Sequence, residues 1–247
     1  MSSDGRYLYG IIRAAKKENF GEIGIGDRDN NVYTIPHKDI AAVVSNIPNK
    51  RIRPERKNLA SHNNVIREAM KKRTLLPMAF GHISPNGTHI KKLLTENYES
   101  FSQQLTKIDG KIEMGLKVLW DVENIFEFFV RNHRELEIFR DEIFSKPYGP
   151  THEEKIELGK RFENLLNRER ERHTKAVTDI LRSCCHKIKQ NKPKHEKMVM
   201  NLAFLIDNDG VERFEKGIFE AAKEFDNNYS FDYNGPWAPH NFVQMTL

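Results

Sequence analysis

Lys111-Ile112-Glu113-Met114-Gly115-Leu116-Lys117-Val118-Leu119-Trp120 is the stretch whose reading decides the fold. Ile112, Met114, Leu116, Val118 and Trp120 recur at every second position. That period puts them on one side of an extended chain, so the segment reads as a half-buried strand. Asp109-Gly110, just before it, reads as a turn and as the domain boundary. After the strand the period changes. Val122, Ile125, Phe126 and Phe129, then Leu136, Phe139 and Ile143, follow helical spacing up to the hard turn Pro147-Tyr148-Gly149-Pro150.

Thr151 with Glu154 forms a capping box that opens one long helical pattern, running to about residue 190. Its stripe is Leu158, Phe162, Leu165 and Leu166, then Ala176, Val177, Ile180, Leu181, Cys184 and Ile188. Roughly 40 residues at helical rise reach about 60 Å. Between the two halves, residues 167–173 carry no apolar side chain. They are expected to be solvated, bent, or held by charges on a partner helix. The expected arrangement is a long helical hairpin, with residues 121–145 packed on the long helix and Pro193 ending it. A strand over 197–206 follows, then a turn at Asp207-Asn208-Asp209-Gly210 and a helix lined by Val211, Phe214, Ile218, Phe219 and Ala222. Phe231 and Tyr233 mark a last strand, ended by Asn234-Gly235-Pro236. Strand, helices, strand, helix, strand fits a modified ferredoxin-like sandwich over 111–247, with helices on one face.

Residues 1–110 read as a second α+β unit, which makes the chain a two-domain α+β protein. Strands are expected at 6–13 and 39–47, with a hairpin of 21–25 and 31–35 around Asp27-Arg28-Asp29-Asn30 and a turn at Pro36-His37. A helix over 54–72 places Leu59, His62, Val65, Ile66, Ala69 and Met70 on one face. A strand over 74–83 is interrupted by Pro77, which marks an edge or a bulge. A helix from Asn86-Gly87-Thr88 to about residue 107 carries the stripe Ile90, Leu93, Leu94, Tyr98, Phe101 and Leu105.

Composition narrows the chemistry. Forty basic residues stand against 35 acidic ones, a net charge of +5, and the two signs interleave over much of the 247-residue chain. No apolar run approaches the roughly 20 residues that span a bilayer. The start, Met1-Ser2-Ser3-Asp4-Gly5, has no signal-peptide pattern, so a cytoplasmic protein is expected. The only cysteines, Cys184 and Cys185, are adjacent and supply neither a disulfide framework nor a four-cysteine zinc site. Gly21-Glu22-Ile23-Gly24-Ile25-Gly26 opens no helix and is followed by no P-loop lysine. Asp207-Asn208-Asp209-Gly210 lacks the ligand spacing of a calcium loop. No histidine pair has metal-ligand spacing. His62, on the apolar face of its helix, reads as a buried imidazole bonded to a backbone carbonyl rather than as a catalytic base. No cofactor, metal or enzymatic activity is expected.

Four stretches carry a resemblance. The C-terminal segment runs Phe231-Asp232-Tyr233-Asn234-Gly235-Pro236-Trp237-Ala238-Pro239-His240-Asn241-Phe242-Val243. In order before it stand Tyr7-Leu8-Tyr9-Gly10-Ile11-Ile12, Thr74-Leu75-Leu76-Pro77-Met78-Ala79-Phe80-Gly81 and Met200-Asn201-Leu202-Ala203-Phe204-Leu205-Ile206. Together they resemble the GvpF/GvpL family of gas vesicle proteins over almost the whole chain. The resemblance implies a non-enzymatic accessory or minor structural protein of vesicle assembly, found at the gas vesicle in the cytoplasm. Its implied partners are the hydrophobic shell protein and other gas vesicle accessory proteins.

A soluble partner can cover an apolar shell subunit by strand addition or by a helix in a groove. Candidate partner-binding residues are therefore Pro77, Met78 and Phe80 at the interrupted strand, and Tyr233, Trp237, Asn241 and Phe242 in the terminal segment. The rival reading makes the same residues core packing. The competing function is a basic ferredoxin-like RNA-binding module. The strands at 112–120 and 198–206 do not show the paired aromatic and basic residues that such sheets present.

Overall fold

A computed structural model describes residues 4–26 and 31–244. The turn expected at Asp27-Arg28-Asp29-Asn30, the first residues Met1-Ser2-Ser3, and Met245, Thr246 and Leu247 lie outside them. The chain forms two compact units, Met1–Glu113 with Pro236–Leu247, and Met114–Gly235. A single cut near residue 110 does not describe this division, because the last residues return to the first unit.

In the first unit, β1 (Asp4–Arg13) is buried on both faces, so its apolar residues run on without alternation. Tyr7, Tyr9 and Ile12 enter one core, and Leu8 and Ile11 the other. The spacing slips between Tyr9 and Ile12 because β1 bulges against its neighbour between Leu8 and Gly10. Glycine is required there, since a Cβ at Gly10 would lie 2.7 Å from the Leu76 carbonyl oxygen. β2 (Asn19–Gly21), β3 (Val32–His37), β4 (Ile40–Pro48), β5 (Leu75–Pro77) and β6 (Ile83–Ser84) complete the sheet. Its order is β2-β3-β4-β1-β5, with β6 also paired to β1.

Helix α1 (Arg56–Met70) covers one face with His62, Val65, Ile66 and Ala69. Helices α2 (Gly87–Glu96) and α3 (Tyr98–Lys107) cover the other with Ile90, Leu94, Phe101 and Leu105. The single helix expected up to residue 107 is thus two. Asn97 breaks it by turning its side-chain amide onto the Leu93 carbonyl, 3.0 Å away. The strand expected over 74–83 is likewise two short ones, and β5 ends the sheet order. Pro36 and His37 belong to β3. The turn lies after them, where Lys38 has φ 54.

The second unit runs β7 (Lys111–Trp120), α4 (Ile125–Asn132), α5 (Arg134–Phe144), α6 (His152–Leu181), β8 (Lys187–Asn191), β9 (Met198–Asp207), α7 (Val211–Ala222) and β10 (Tyr229–Trp237). The first residues of β7 and the last of β10 are assigned to the first unit. The sheet order is β10-β7-β9-β8. Helices α6 and α7 pack on β9, with the Phe204 and Phe214 rings 5.0 Å apart. Helices α4 and α5 pack on α6, where Phe126 and Phe129 meet Phe162 at 5.4 and 5.5 Å and the Arg161 guanidinium lies 3.9 Å over the Phe139 ring.

Three expectations change here. The long helix ends at Leu181 after 30 residues, about 45 Å. A 3-10 turn, Arg182–Cys184, leads into β8, and Ile188 sits in that strand opposite Phe204. Pairing with β9 outweighs a helical stripe that the spacing of Cys184 and Ile188 only mimics. Residues 167–173 are not simply solvated. Arg170 donates to the carbonyls of Met198, Glu196 and His195 at 3.0, 2.8 and 3.3 Å, and His173 is buried. The last strand continues through Gly235 and Pro236 to Trp237, because β10 ends the sheet order and an edge strand tolerates proline.

Candidate functional site

The first-unit core facing α1 holds a polar chain among aromatic rings. The Tyr7 hydroxyl accepts from the Gly81 N–H at 2.9 Å and lies 3.0 Å from His62 Nδ1. The imidazole also bonds the Met78 backbone carbonyl. Burial holds His62 down to a pKa of about 4, so it is neutral and both ring nitrogens are engaged. Burial also pushes the Tyr7 phenol up. This arrangement ties the loop after β5 to β1 and α1. Among the described residues no group of His, Cys, Asp or Glu could hold a metal ion, and no helix is long and apolar enough to cross a membrane.

The C-terminal segment is fixed just as specifically. The Asn241 backbone N–H and side-chain amide donate to the buried Glu113 carboxylate at 2.8 and 2.6 Å. Gln104 and Gln244 exchange two hydrogen bonds of 2.7 Å. Ala238 is buried in the core under α1, and Val243 packs on the opposite core. Trp237, beside Ala238, is nevertheless 46% exposed. It lines a cleft of about 370 Å3 with Asn63, Arg67 and Met70 of α1 and with Glu113. An aromatic ring on a pinned backbone, a methionine and flanking amides make a binding surface. His240 and the amides of Asn63 and Asn64 complete its lining, and the Glu113 carboxylate in it is engaged by Asn241.

Comparison with known proteins covers nearly the whole chain. The family described as "Gas vesicle synthesis protein GvpL/GvpF" matches residues 5–244. The chain belongs to the GvpL/GvpF family. It is similar to gas vesicle protein F of a Streptomyces species, 28% identical over 96% of this chain and 99% of that one. It is equally similar, at 28%, to gas vesicle protein F of a Nostoc species, over 99% of this chain and all of the other. The crystal structure of GvpF from Anabaena sp. PCC7120 superposes with a TM-score of 0.83 at 28% identity, covering 99% of this chain and 100% of that one.

In this GvpL/GvpF chain the seven candidate partner-binding residues fall in different settings. Pro77 and Met78 are buried, so they present no surface as the chain stands. Phe80 is half-buried against Tyr7 and His62, with ring centroids 6.1 and 5.6 Å apart. Tyr233, in the second unit, is 37% exposed. Phe242 and Asn241 are half-buried, Asn241 being held by Glu113. Only Trp237 lines the cleft. Sequence reasoning missed the other wall, the outer side of α1, and it missed Glu113. The one available signal was that Glu113 is the sole carboxylate in β7.

Proposed function

We propose that this chain is an accessory or minor structural protein of gas vesicle assembly that binds the hydrophobic shell protein and has no enzymatic activity. What carries the reading is the exposed Trp237 indole on a hydrogen-bonded tail, in a chain that belongs to the GvpL/GvpF family. A shell subunit that lines a gas space has apolar surface to hide before it assembles. A rigidly presented aromatic ring binds such surface with little loss of side-chain freedom. The partners are the shell protein and other gas vesicle accessory proteins, and the place of action is the gas vesicle in the cytoplasm.

The two units act as two domains. The second unit follows a β-α-β-β-α-β pattern with three helices, α4, α5 and α6, in the place of the first; with its sheet order this supports reading it as a modified ferredoxin-like sandwich carrying a long helical hairpin. The RNA-binding alternative finds little support there, since Trp120 and Phe204, on β7 and β9, are 1% and 0% exposed and unavailable for base stacking.

The test is co-expression with the major shell protein of the same host, followed by pull-down at low and high salt. Capture that survives high salt and is lost in Trp237→Ala is the expected result. Absence of capture by a folded chain, or capture that disappears as salt rises, would overturn the reading.

A further inference from the structure

β8 ends the four-stranded sheet, and among the described residues no strand continues beyond it. Its inner edge is taken by β9, from Lys187 opposite Leu205 to Asn191 opposite Asn201. In an antiparallel ladder alternate residues turn their N–H and C=O groups away from the partner. β8 therefore offers a backbone edge onto which an extended segment can add.

A groove of about 450 Å3 lies beside that edge, between β8 and α6. Glu171, Thr174, Lys175, Thr178 and Asp179 of α6, with Arg182 after it, form one wall, and Ile188, Gln190 and Leu202 the other. Asp179 lies 2.5 Å from Lys175 and 3.7 Å from Arg182, so the charges of the groove itself balance. An added strand would place every second side chain against this groove while its backbone pairs with β8.

The charge that selects an occupant lies on β8 and the turn after it, not in the groove. Between Lys187 and Lys197 the chain carries Lys187, Lys189, Lys192, Lys194 and Lys197 against one carboxylate, Glu196. Lys187, Lys192 and Lys194 are exposed. We infer that β8 and the groove beside it form a docking edge for an extended acidic segment of another polypeptide, added as a further strand. Lysines on an edge discourage pairing with neutral or basic strands, so the same charges that protect the free edge favour an acidic one. The stretch has no Phe, Tyr or Trp on which bases could stack, which favours a peptide over a nucleic acid. The inference goes beyond the shell-protein reading and uses different residues.

The test follows amide exchange of the full chain while it is titrated with a pool of short synthetic peptides. These alternate Asp or Glu with Thr, Val or Ile. The comparisons are a pool with Lys in place of the acids, the acidic pool N-methylated at alternate amides, and oligouridylate. The acidic pool is expected to protect the amides of residues 187–191, and N-methylation is expected to abolish this. Gln190→Pro, and separately Lys175→Glu, are each expected to weaken binding about tenfold, a loss of roughly one order of magnitude in Kd. Lys175 is 77% exposed on α6, so its variant keeps the test valid if proline unfolds β8. Equal protection by the lysine or N-methylated pool, protection by oligouridylate instead, or no protection at all would overturn the inference. Capture of the shell protein by Lys175→Glu should match that of the parent chain. This separates a failure here from a failure of the shell-protein reading.

Discussion

His62 on α1 and His173 on α6 are both buried imidazoles, each 3.0 Å from a tyrosine hydroxyl. His62 is enclosed by rings, with Tyr7, Tyr9 and Phe80 centroids at 5.7, 5.7 and 5.6 Å. Burial is the main reason that its pKa falls to about 4, and His240 adds to the effect. His173 also lies against rings, Phe225 at 4.8 Å and Tyr229 at 5.0 Å. But it has Arg172 at 3.0 Å and Glu169 at 3.6 Å. Burial again lowers its pKa first and Arg172 second, while Glu169 and Asp226 push back. The same tyrosine–histidine pair is thus an acid-sensitive lock where no carboxylate counters burial. It becomes a buffered one where carboxylates stand near.

The largest expected effect breaks the comparison by pH. The folded pKa of His62 lies below its ordinary 6.5, so the unfolded chain takes up a proton first as pH falls. The associated stability is fully present above pH 6.5 and is lost as pH falls towards 4. The loss reaches up to about 3 kcal/mol over that window. Urea unfolding at both ends of the window, for the parent and for His62→Gln, isolates this part from the general acid response. The variant is expected to be less stable at neutral pH but to lose about 2 kcal/mol less on acidification. Equal losses in the two chains would show that His62 is not the acid-labile group. The matching His173→Gln comparison should show a smaller difference of the same sign.

Removing the tyrosine hydroxyls tests the locks at constant pH. Tyr7→Phe strands the Gly81 N–H and His62 Nδ1 together and is expected to cost about 3 kcal/mol. Tyr229→Phe strands the Trp120 indole N–H, but His173 keeps Arg172, so about 1.5 kcal/mol is expected. Chemical denaturation gives both values. A Tyr229 variant as damaging as the Tyr7 one would mean that Arg172 does not substitute for the lost hydroxyl. Asn241→Ala should fall near 1.5 kcal/mol, because the Glu113 carboxylate keeps the backbone N–H of residue 241.

How much of this was legible depended on how local each cause is. The alternation in β7 and the apolar face of α1 are carried by neighbouring residues, and both elements appear where expected. His62 could be placed because helical spacing alone puts it among Val65, Ile66 and Ala69. β8 was hidden because Leu181, Cys184 and Ile188 keep a helical interval while the strand exists only through its pairing with β9. Arg170 looked like part of a solvated charge run because its acceptors are carbonyls 25 to 28 residues away. At the candidate site, the aromatic weight of the tail could be read, but not its fixing. Glu113 and Asn241 are 128 positions apart, and nothing near either announces the other. Nor could sequence say which of Trp237 and Ala238 faces the core, since both are apolar.

Trp237→Ala is the smallest expected change in stability and the sharpest contrast with the two histidine locks. At 46% exposure the indole leaves much of its surface in water, and its neighbour Ala238, not Trp237 itself, is in the core. Truncation should therefore cost under about 1 kcal/mol, within the range of surface substitutions and well below the 3–5 kcal/mol of a buried tryptophan. Capture of the shell protein should nonetheless fall sharply, because a fixed aromatic anchor carries a disproportionate share of binding energy. Thermal melting and pull-down of one preparation check both halves. A melting loss as large as that of Tyr7→Phe would place Trp237 with the core residues. Normal melting with undiminished capture would send the search for the shell-binding surface to other exposed apolar side chains, such as Tyr148 and Phe144 at the turn between α5 and α6.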